Sequence, residues 1–373
     1  MGQGRTDDVL TLLRRYATYV ATREDATYGY IREYGHPMYL FYLAEMHRQL
    51  SQLTGEPQYR AKYLRAVDSI VTQAHELRWQ QYAGDGQYLD PDPLYTGLFV
   101  EALLDAYHDT GDAKYRRTAD GAMAALPAML APLDLDPVPK DDLVIIASAI
   151  ALYADRTDSR DPALLAPAER IFRHVWSLHD PATGRWYYSA DELRQGLYNG
   201  SSAYYQLSAT LFLMHRSEHV RAVFPHHYAR FRQALPTLLS TVESELLPSG
   251  GFSFEPDYPD YTESAAQVLW AFEIYDRAFA TDHQELKDRI VANLQRLQHG
   301  DGSFSATPGS STTGLMYSDA IGWALANWVA AQYPRLSPVP FRIALPVVGG
   351  NSDRPPESAL VTRQPASHSP NVQ

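Results

Sequence analysis

The sequence predicts an all-α protein whose helices close into a two-layered ring, an (α/α)6 toroid of six inner and six outer helices with its site at the face where outer helices hand over to inner ones. Three observations predict it. A unit of tens of residues recurs, holding a Gly followed closely by Tyr, Trp or Phe and then a Tyr backed by Thr, Asn or Ser: Tyr95-Thr96, Tyr198-Asn199, Tyr261-Thr262 and Tyr317-Ser318. Such self-similarity signifies stacked helical units. Helical segments alternate between nearly all-apolar and striped, and a helix apolar all round is buried whereas a striped one lies at the surface. Links from apolar to striped segments are short, at 54–56, 111–112 and 281–283. The reverse links run on the order of ten to twenty residues, a length that in compact domains carries function.

Taken in order, segment 5–22 is amphipathic, with Val9, Leu12, Leu13, Tyr16 and Val20 at three- and four-residue spacing. Segment 36–53 is apolar and stops at Thr54-Gly55. Segment 57–77 carries its charges on one side and should face solvent. The alternation then continues: 94–110 apolar, 113–130 amphipathic, 141–154 apolar, 162–178 amphipathic, 199–214 apolar, 224–246 amphipathic, 262–279 apolar, 284–297 amphipathic and 318–333 apolar. The toroid is expected over 1–335, a Pro-punctuated extended segment over 336–350, and a disordered tail over 351–373, where Ser, Pro and Asn replace apolar residues.

Composition excludes several classes. With 373 residues, 45% of them hydrophobic, the chain can bury a large core as one domain. A net charge of −12 opposes nucleic-acid binding, whose phosphates demand a basic face. No apolar run reaches the roughly 18 residues of a membrane span. The first residues are polar and then amphipathic, so a secretion signal is expected to be absent or removed, leaving a cytoplasmic or an exported location open. Cys is missing, which excludes thiolate catalysis, disulfides and Cys-ligated metals; no cofactor and no metal are expected. The 26 tyrosines, many in the long links, suit an oligo- or polysaccharide that both stacks and hydrogen-bonds.

The candidate site residues gather at the starts of inner helices. Asp141 and Asp142 open the third inner helix, and Glu263 and Asp319 each stand two positions after a repeat Tyr. These four are the candidate catalytic acids, since glycoside hydrolysis needs two carboxyl groups, one kept protonated by its surroundings. Acids in a first turn also complement the helix macrodipole. Candidate substrate-binding residues are His36, Asp90 and Asp92 of YLDPDPLY, Tyr95, Trp186, Tyr198, Asn199, Glu255, Asp257, Tyr261 and Tyr317. The densest cluster places Glu255, Asp257, Asp260 and Glu263 among aromatics. The loop aromatics Trp79, Tyr88, Trp186, Tyr187, Phe252 and Phe304 would either stack on sugar or seal their own repeats.

With its helices placed, the chain resembles the α/α-toroid superfamily of glycoside hydrolases, uronate lyases, sugar epimerases and the terpene-cyclase and prenyltransferase group. The resemblance covers roughly residues 6–333. TGDAKYRRTADGAMAAL (110–126) and DPALLAPAERIFRHVWSLHDPATGRWYYS (161–189) are similar to inter-repeat segments of toroidal sugar enzymes. QHGDGSF (298–304) resembles the Gln-Gly-Trp signature of triterpene cyclases, with Phe for Trp. Asp134-Leu135-Asp136-Pro137 lacks the last Asp of the cyclase acid motif, and the zinc-binding relatives use Cys that this chain does not have. Asp141-Asp142 is similar to the adjacent Asp pair at the ring mouth of some toroidal mannan-cleaving enzymes.

The resemblance and the acids together imply a carbohydrate-active enzyme, foremost a glycoside hydrolase. Three alternatives stand beside it: a uronate lyase or sugar epimerase using a Tyr or His base with Arg23, Arg32, Arg78, Arg185 or Arg194; a non-catalytic toroid binding glycan or protein; and a terpene-cyclase-like enzyme with a dry aromatic pocket. The sequence does not set the oligomeric state.

Overall fold

The computed structural model describes residues 2–24, 38–74, 79–82, 88–196, 203–254, 260–307, 309 and 319–333. Segments 336–350 and 351–373 lie outside the described residues. Among the described residues the outer helices are α1 (Gly2–Ala21), α3 (Pro57–Thr72), α5 (Ala113–Leu130), α7 (Pro162–Ser177), α11 (Pro225–Ser244) and α13 (Gln284–Leu297). The inner helices are α2 (Met38–Thr54), α4 (Pro93–Thr110), α6 (Lys140–Thr157), α9 (Ala203–His215), α12 (Thr262–Phe279) and α14 (Asp319–Gln332). Inner helices touch in the order α2, α4, α6, α9, α12, α14 and back to α2, so the ring closes as expected.

Two short helices lie outside the repeat pattern, α8 (Ala190–Gln195) and α10 (Ser217–Val223). Six or seven residues give too little periodicity to detect. Local chemistry shapes α8, where the Ser189 hydroxyl accepts from the Glu192 N–H and Gly196 ends the turn in the left-handed region. An antiparallel hairpin of β1 (Gln80–Tyr82) and β2 (Tyr88–Pro91) occupies the link before α4.

The starts of several helices follow from side-chain caps. Asp92, Asp112 and Asp161 accept from the N–H groups of Leu94, Lys114 and Ala163, each at 2.9 Å. Two of them precede a Pro at the start of the helix, where a missing N–H costs nothing. The repeated Gly-x-aromatic unit serves the outer wall. Gly302 has φ +94°, and a Cβ there would lie 2.2 Å from the Arg15 carbonyl of α1. Only glycine allows that approach. Phe304, two residues on, is buried, and Arg15 Nη2 donates to the His299 carbonyl at 2.6 Å, so the last repeat docks on the first helix. Gly184 and Gly250 press in the same way on Leu238 of α11 and Arg289 of α13.

The middle of the ring is filled with aromatic side chains. Phe41 on α2 and Phe212 on α9, on opposite sides, approach to 6.0 Å between ring centroids. Trp323 stacks on Phe212 at 4.8 Å, and Trp270 meets Trp323 edge-on at 4.7 Å. All four are buried. Beyond this plug, toward the short-link end, lies a polar layer centred on Arg216. Its guanidinium donates to Glu101 Oε2 at 2.9 Å, the Ile145 carbonyl at 2.9 Å, Ser148 Oγ at 3.0 Å and the Gly97 carbonyl at 3.1 Å. His215 adds a 2.8 Å contact to Glu101.

Candidate functional site

The opposite end of the ring, where inner helices begin, gathers acids and tyrosines above the aromatic plug. Asp141, in the first turn of α6, accepts hydrogen bonds from Lys140 Nζ and from the Ser208 hydroxyl on α9. Lys140 is buried and donates to the Tyr205 carbonyl as well, with its Nζ 5.8 Å from the Tyr188 ring centroid. Its backbone N–H donates to the Tyr188 carbonyl at 2.8 Å, which ties the start of α6 to the link before α8.

Asp142 has the opposite environment. Burial, then the charges of Asp141 and Asp92, push its pKa up to about 8 against the weaker opposing pull of Lys140. No described residue donates a hydrogen bond to it. It therefore holds its proton more firmly than an ordinary carboxyl group, beside an acid that a lysine and a hydroxyl hold in place. Asp92, the cap of α4, is near enough to act on both Asp142 and Tyr95, and burial with these two acids pushes the Tyr95 hydroxyl up.

Glu263, in the first turn of α12, is buried and likewise pushed up to about 8. Burial outweighs hydrogen bonds from Tyr261 Oη at 3.4 Å and Gln267 Nε2 at 3.2 Å, both neutral donors that oppose it only in part. Between the two acid groups lies a cluster of rings. Phe254 is 4.7 Å from Tyr204, 5.2 Å from Tyr205 and 5.0 Å from Tyr261. The Tyr204 hydroxyl is raised by burial and then by Glu263, Tyr261, Tyr42 and Asp141.

The structure thus brings together Asp92, Tyr95, Asp141, Asp142, Tyr261 and Glu263 along a rim from α4 to α12. It does not add Trp186, which is buried against Trp176 at 5.5 Å and His179 at 4.5 Å. Its backbone exchanges two 2.9 Å hydrogen bonds with the Gln206 side chain, so Trp186 seals its repeat instead of offering a face to sugar. Trp79, Phe252 and Phe304 are buried in the same manner. Asp260 leaves the expected acid cluster, because Asn293 at 2.9 Å and Arg296 at 2.8 Å hold it against α13. Only the backbone is described for Asp90, on β2, and for Asp319, which opens α14. His36, Tyr198, Asn199, Glu255, Asp257 and Tyr317 lie outside the described residues.

Sequence reasoning passed over Lys140, Tyr188, Tyr204, Tyr205 and Ser208. The signals were present as the Lys directly before the Asp pair and as the doubled tyrosines 187–188 and 204–205. Of the arginines considered as carboxylate binders, Arg185 pairs with Glu245, and Arg194 with Asp136 and Asp191. Arg32 and Arg78 lie outside the described residues.

No protein-family model matches the chain, and no curated protein matches its sequence. Its fold is shared with solved structures at low identity. A sugar epimerase from a ruminal bacterium superposes with a TM-score of 0.66 at 10% identity, over 87% of this chain and 98% of that one. A possible member of the GH105 family from Salmonella enterica gives 0.64 at 14% identity, over 88% and 94%. A GH76 α-mannanase from Bacteroides thetaiotaomicron gives 0.63 at 14% identity, over 88% and 96%. All three are toroids, and the expected (α/α)6 fold is the one observed.

Proposed function

We propose that the protein is a carbohydrate-active enzyme, most specifically a glycoside hydrolase that binds an oligo- or polysaccharide across the mouth of the ring. The observation that carries this reading is the contrast between neighbours in the first turn of α6. Asp142 is held protonated around neutrality, and Asp141 is braced by Lys140 and Ser208. A proton donor and a carboxylate of opposite character are what cleavage of a glycosidic bond requires. Asp142 would protonate the departing glycosidic oxygen, while Asp141 would stabilise or attack the positively charged sugar centre, or activate water. Tyr188 and Tyr204, which are only partly buried, supply amphipathic rings for the sugar faces, whereas Tyr95 and Tyr261 are buried against their neighbours. Glu263 is a second protonated carboxyl on the rim. The likeness to toroids named as an epimerase, a mannanase and a possible glycoside hydrolase is consistent with this reading.

Two alternatives have less support. A lyase or epimerase acting on an acidic sugar needs a cation to neutralise the substrate carboxylate. Among the described residues Lys140, a buried cation at the rim, is already engaged by Asp141 and the Tyr205 carbonyl, Arg185 and Arg194 are paired elsewhere, and Arg23 lies against the Tyr19 ring. A terpene-cyclase-like pocket has no room where Phe41, Phe212, Trp270 and Trp323 meet.

The test is a screen of the full chain against a library of glycans, comparing wild type with Asp142→Asn and Glu263→Gln. Loss of the proton donor should lower turnover by about a hundredfold or more. Turnover that falls less than about tenfold in both variants, about 1.4 kcal/mol of barrier, would remove these acids from the mechanism. Glycan binding without turnover would favour the non-catalytic toroid.

A further inference from the structure

A second cluster of chemically able side chains lies on the outer wall. Glu169, on α7, faces His226 and His227 in the first turn of α11, and one ligand atom from each residue lies within 4.8 Å of the others. His226 Nε2 is 3.4 Å from Glu169 Oε1, and His227 Nε2 is 3.1 Å from Glu169 Oε2. Such separations are close to those between neighbouring ligands of a tetrahedral zinc ion, whose bonds to N and O measure about 2.0–2.2 Å. The two imidazole rings are 4.0 Å apart.

A second observation points to a ligand. His227 is only 5% exposed, yet its Nε2, though near Glu169, has no hydrogen-bond partner. A buried polar nitrogen normally has one. Phe172 at 4.9 Å and Phe224 at 6.2 Å pack around its ring and fix its orientation, with Nε2 3.1 Å from the carboxylate but off the line of a hydrogen bond to it. The opposite wall of the cluster is open, since the His226 side chain is 63% exposed and gives an ion a path from solvent.

We propose that Glu169, His226 and His227 bind a divalent transition-metal ion, zinc first, linking the adjacent outer helices α7 and α11. Two imidazoles and one carboxylate are borderline donors that suit zinc, nickel, cobalt or copper over magnesium or calcium. Three protein ligands leave a position for water. The competing cation is Arg173, whose Nε lies 3.7 Å from Glu169 Oε1, a loose contact that a metal can displace. The site is on the wall and independent of the chemistry proposed at the mouth. Because its ligands come from two helices that already meet through Phe172 with His227 and Trp176 with Arg230, bound metal would stiffen that seam.

The experiment uses the full chain without an affinity tag, stripped with chelator and titrated with zinc by calorimetry. One zinc per chain at micromolar affinity or tighter is expected, with a rise in Tm of several degrees. Cobalt(II) in place of zinc should give the intense visible bands of a four-coordinate site. His226→Ala removes an exposed ligand, and Glu169→Gln keeps the shape of the side chain. Each should weaken zinc at least tenfold and leave the metal-free Tm and circular dichroism unchanged. Zinc bound equally well by wild type and both variants would overturn the site. So would the lack of any binding tighter than about 100 μM.

Discussion

The two ends of the ring solve the burial of carboxyl groups in opposite ways. Glu263 at the mouth and Glu101, halfway along α4 where the polar layer begins, are both buried. Among the described residues Glu263 has a tyrosine hydroxyl and an amide as its hydrogen-bond partners and is pushed up to about 8. Glu101 has Arg216 at 2.8 Å and His215 at 2.8 Å, and these hold it well below the usual carboxylate range in spite of burial. Desolvation is common to both, so the partner decides the charge state. At the mouth burial raises Glu263, which has no cation beside it among the described residues, whereas around Glu101 the charges are tied together in pairs. Arg48, Asp105 and Arg156 extend that far-end network and line a pocket of about 270 Å3.

The largest effect that would break this comparison is expected at Asp142. Asp142→Asn should reduce hydrolysis by about 10²- to 10⁴-fold with little change in stability. In wild type kcat/KM should fall as pH rises through about 8 and Asp142 loses its proton. A basic limb that persists at the same pH in Glu263→Gln but disappears with all activity in Asp142→Asn would assign it. If Asp142→Asn stays active, the mouth is no more catalytic than the far end.

Next in size is the removal of the far-end partner. Arg216→Met leaves Glu101 buried without its main counter-charge and should cost about 3–5 kcal/mol, read as a lower urea midpoint. Glu101→Gln together with Arg216→Met should recover part of that loss. A single Arg216→Met that costs less than about 1 kcal/mol would show that the far end does not depend on pairing.

A smaller effect concerns pH. Asp142, Glu263 and Glu45 are all raised to about 8, so between the unfolded carboxylate range and pH 8 the folded state binds more protons than the unfolded one. Stability from these groups is present at low pH and is lost as pH rises through that window. The buried histidines His47, His219 and His227, whose pKa values are lowered by burial, act in the opposite direction only below about 6.5. Tm should therefore fall by a few degrees from pH 6.5 to 8. A flat or rising profile would sink the assignment of protonated acids.

The smallest effect separates Glu45, a raised acid within the far-end network. Its Oε1 is buried without a hydrogen bond, and Arg48 Nη1 lies at 3.6 Å from Oε2, too far to overcome burial. Glu45→Gln should flatten part of the pH dependence of Tm and leave turnover unchanged. A loss of turnover in this variant would mean that the two ends are coupled.

The ring was legible because its signals are local. Asp92, Asp112 and Asp161 mark helix starts, and the links at 54–56 and 111–112 mark stops. The Gly-x-aromatic units marked the long links correctly, but Trp186 shows that repetition could not say which way a ring turns. The rim was legible in part. Asp141, Asp142 and Glu263 stand out in first turns, while Lys140 and Ser208 gain their meaning only by contact with Asp141, and Ser208 is 67 residues away.

The sequence by itself determined the number of helices in the ring and their alternation, because periodicity and capping act over a few residues. Tertiary structure alone decided that burial pushes Asp142 and Glu263 up while partners hold Glu101 low, that aromatic rings plug the centre, and that Glu169 meets His226 and His227. Charge state depends on burial and on partners such as Arg216 and Glu101, 115 residues apart. Only the closed ring brings such partners together.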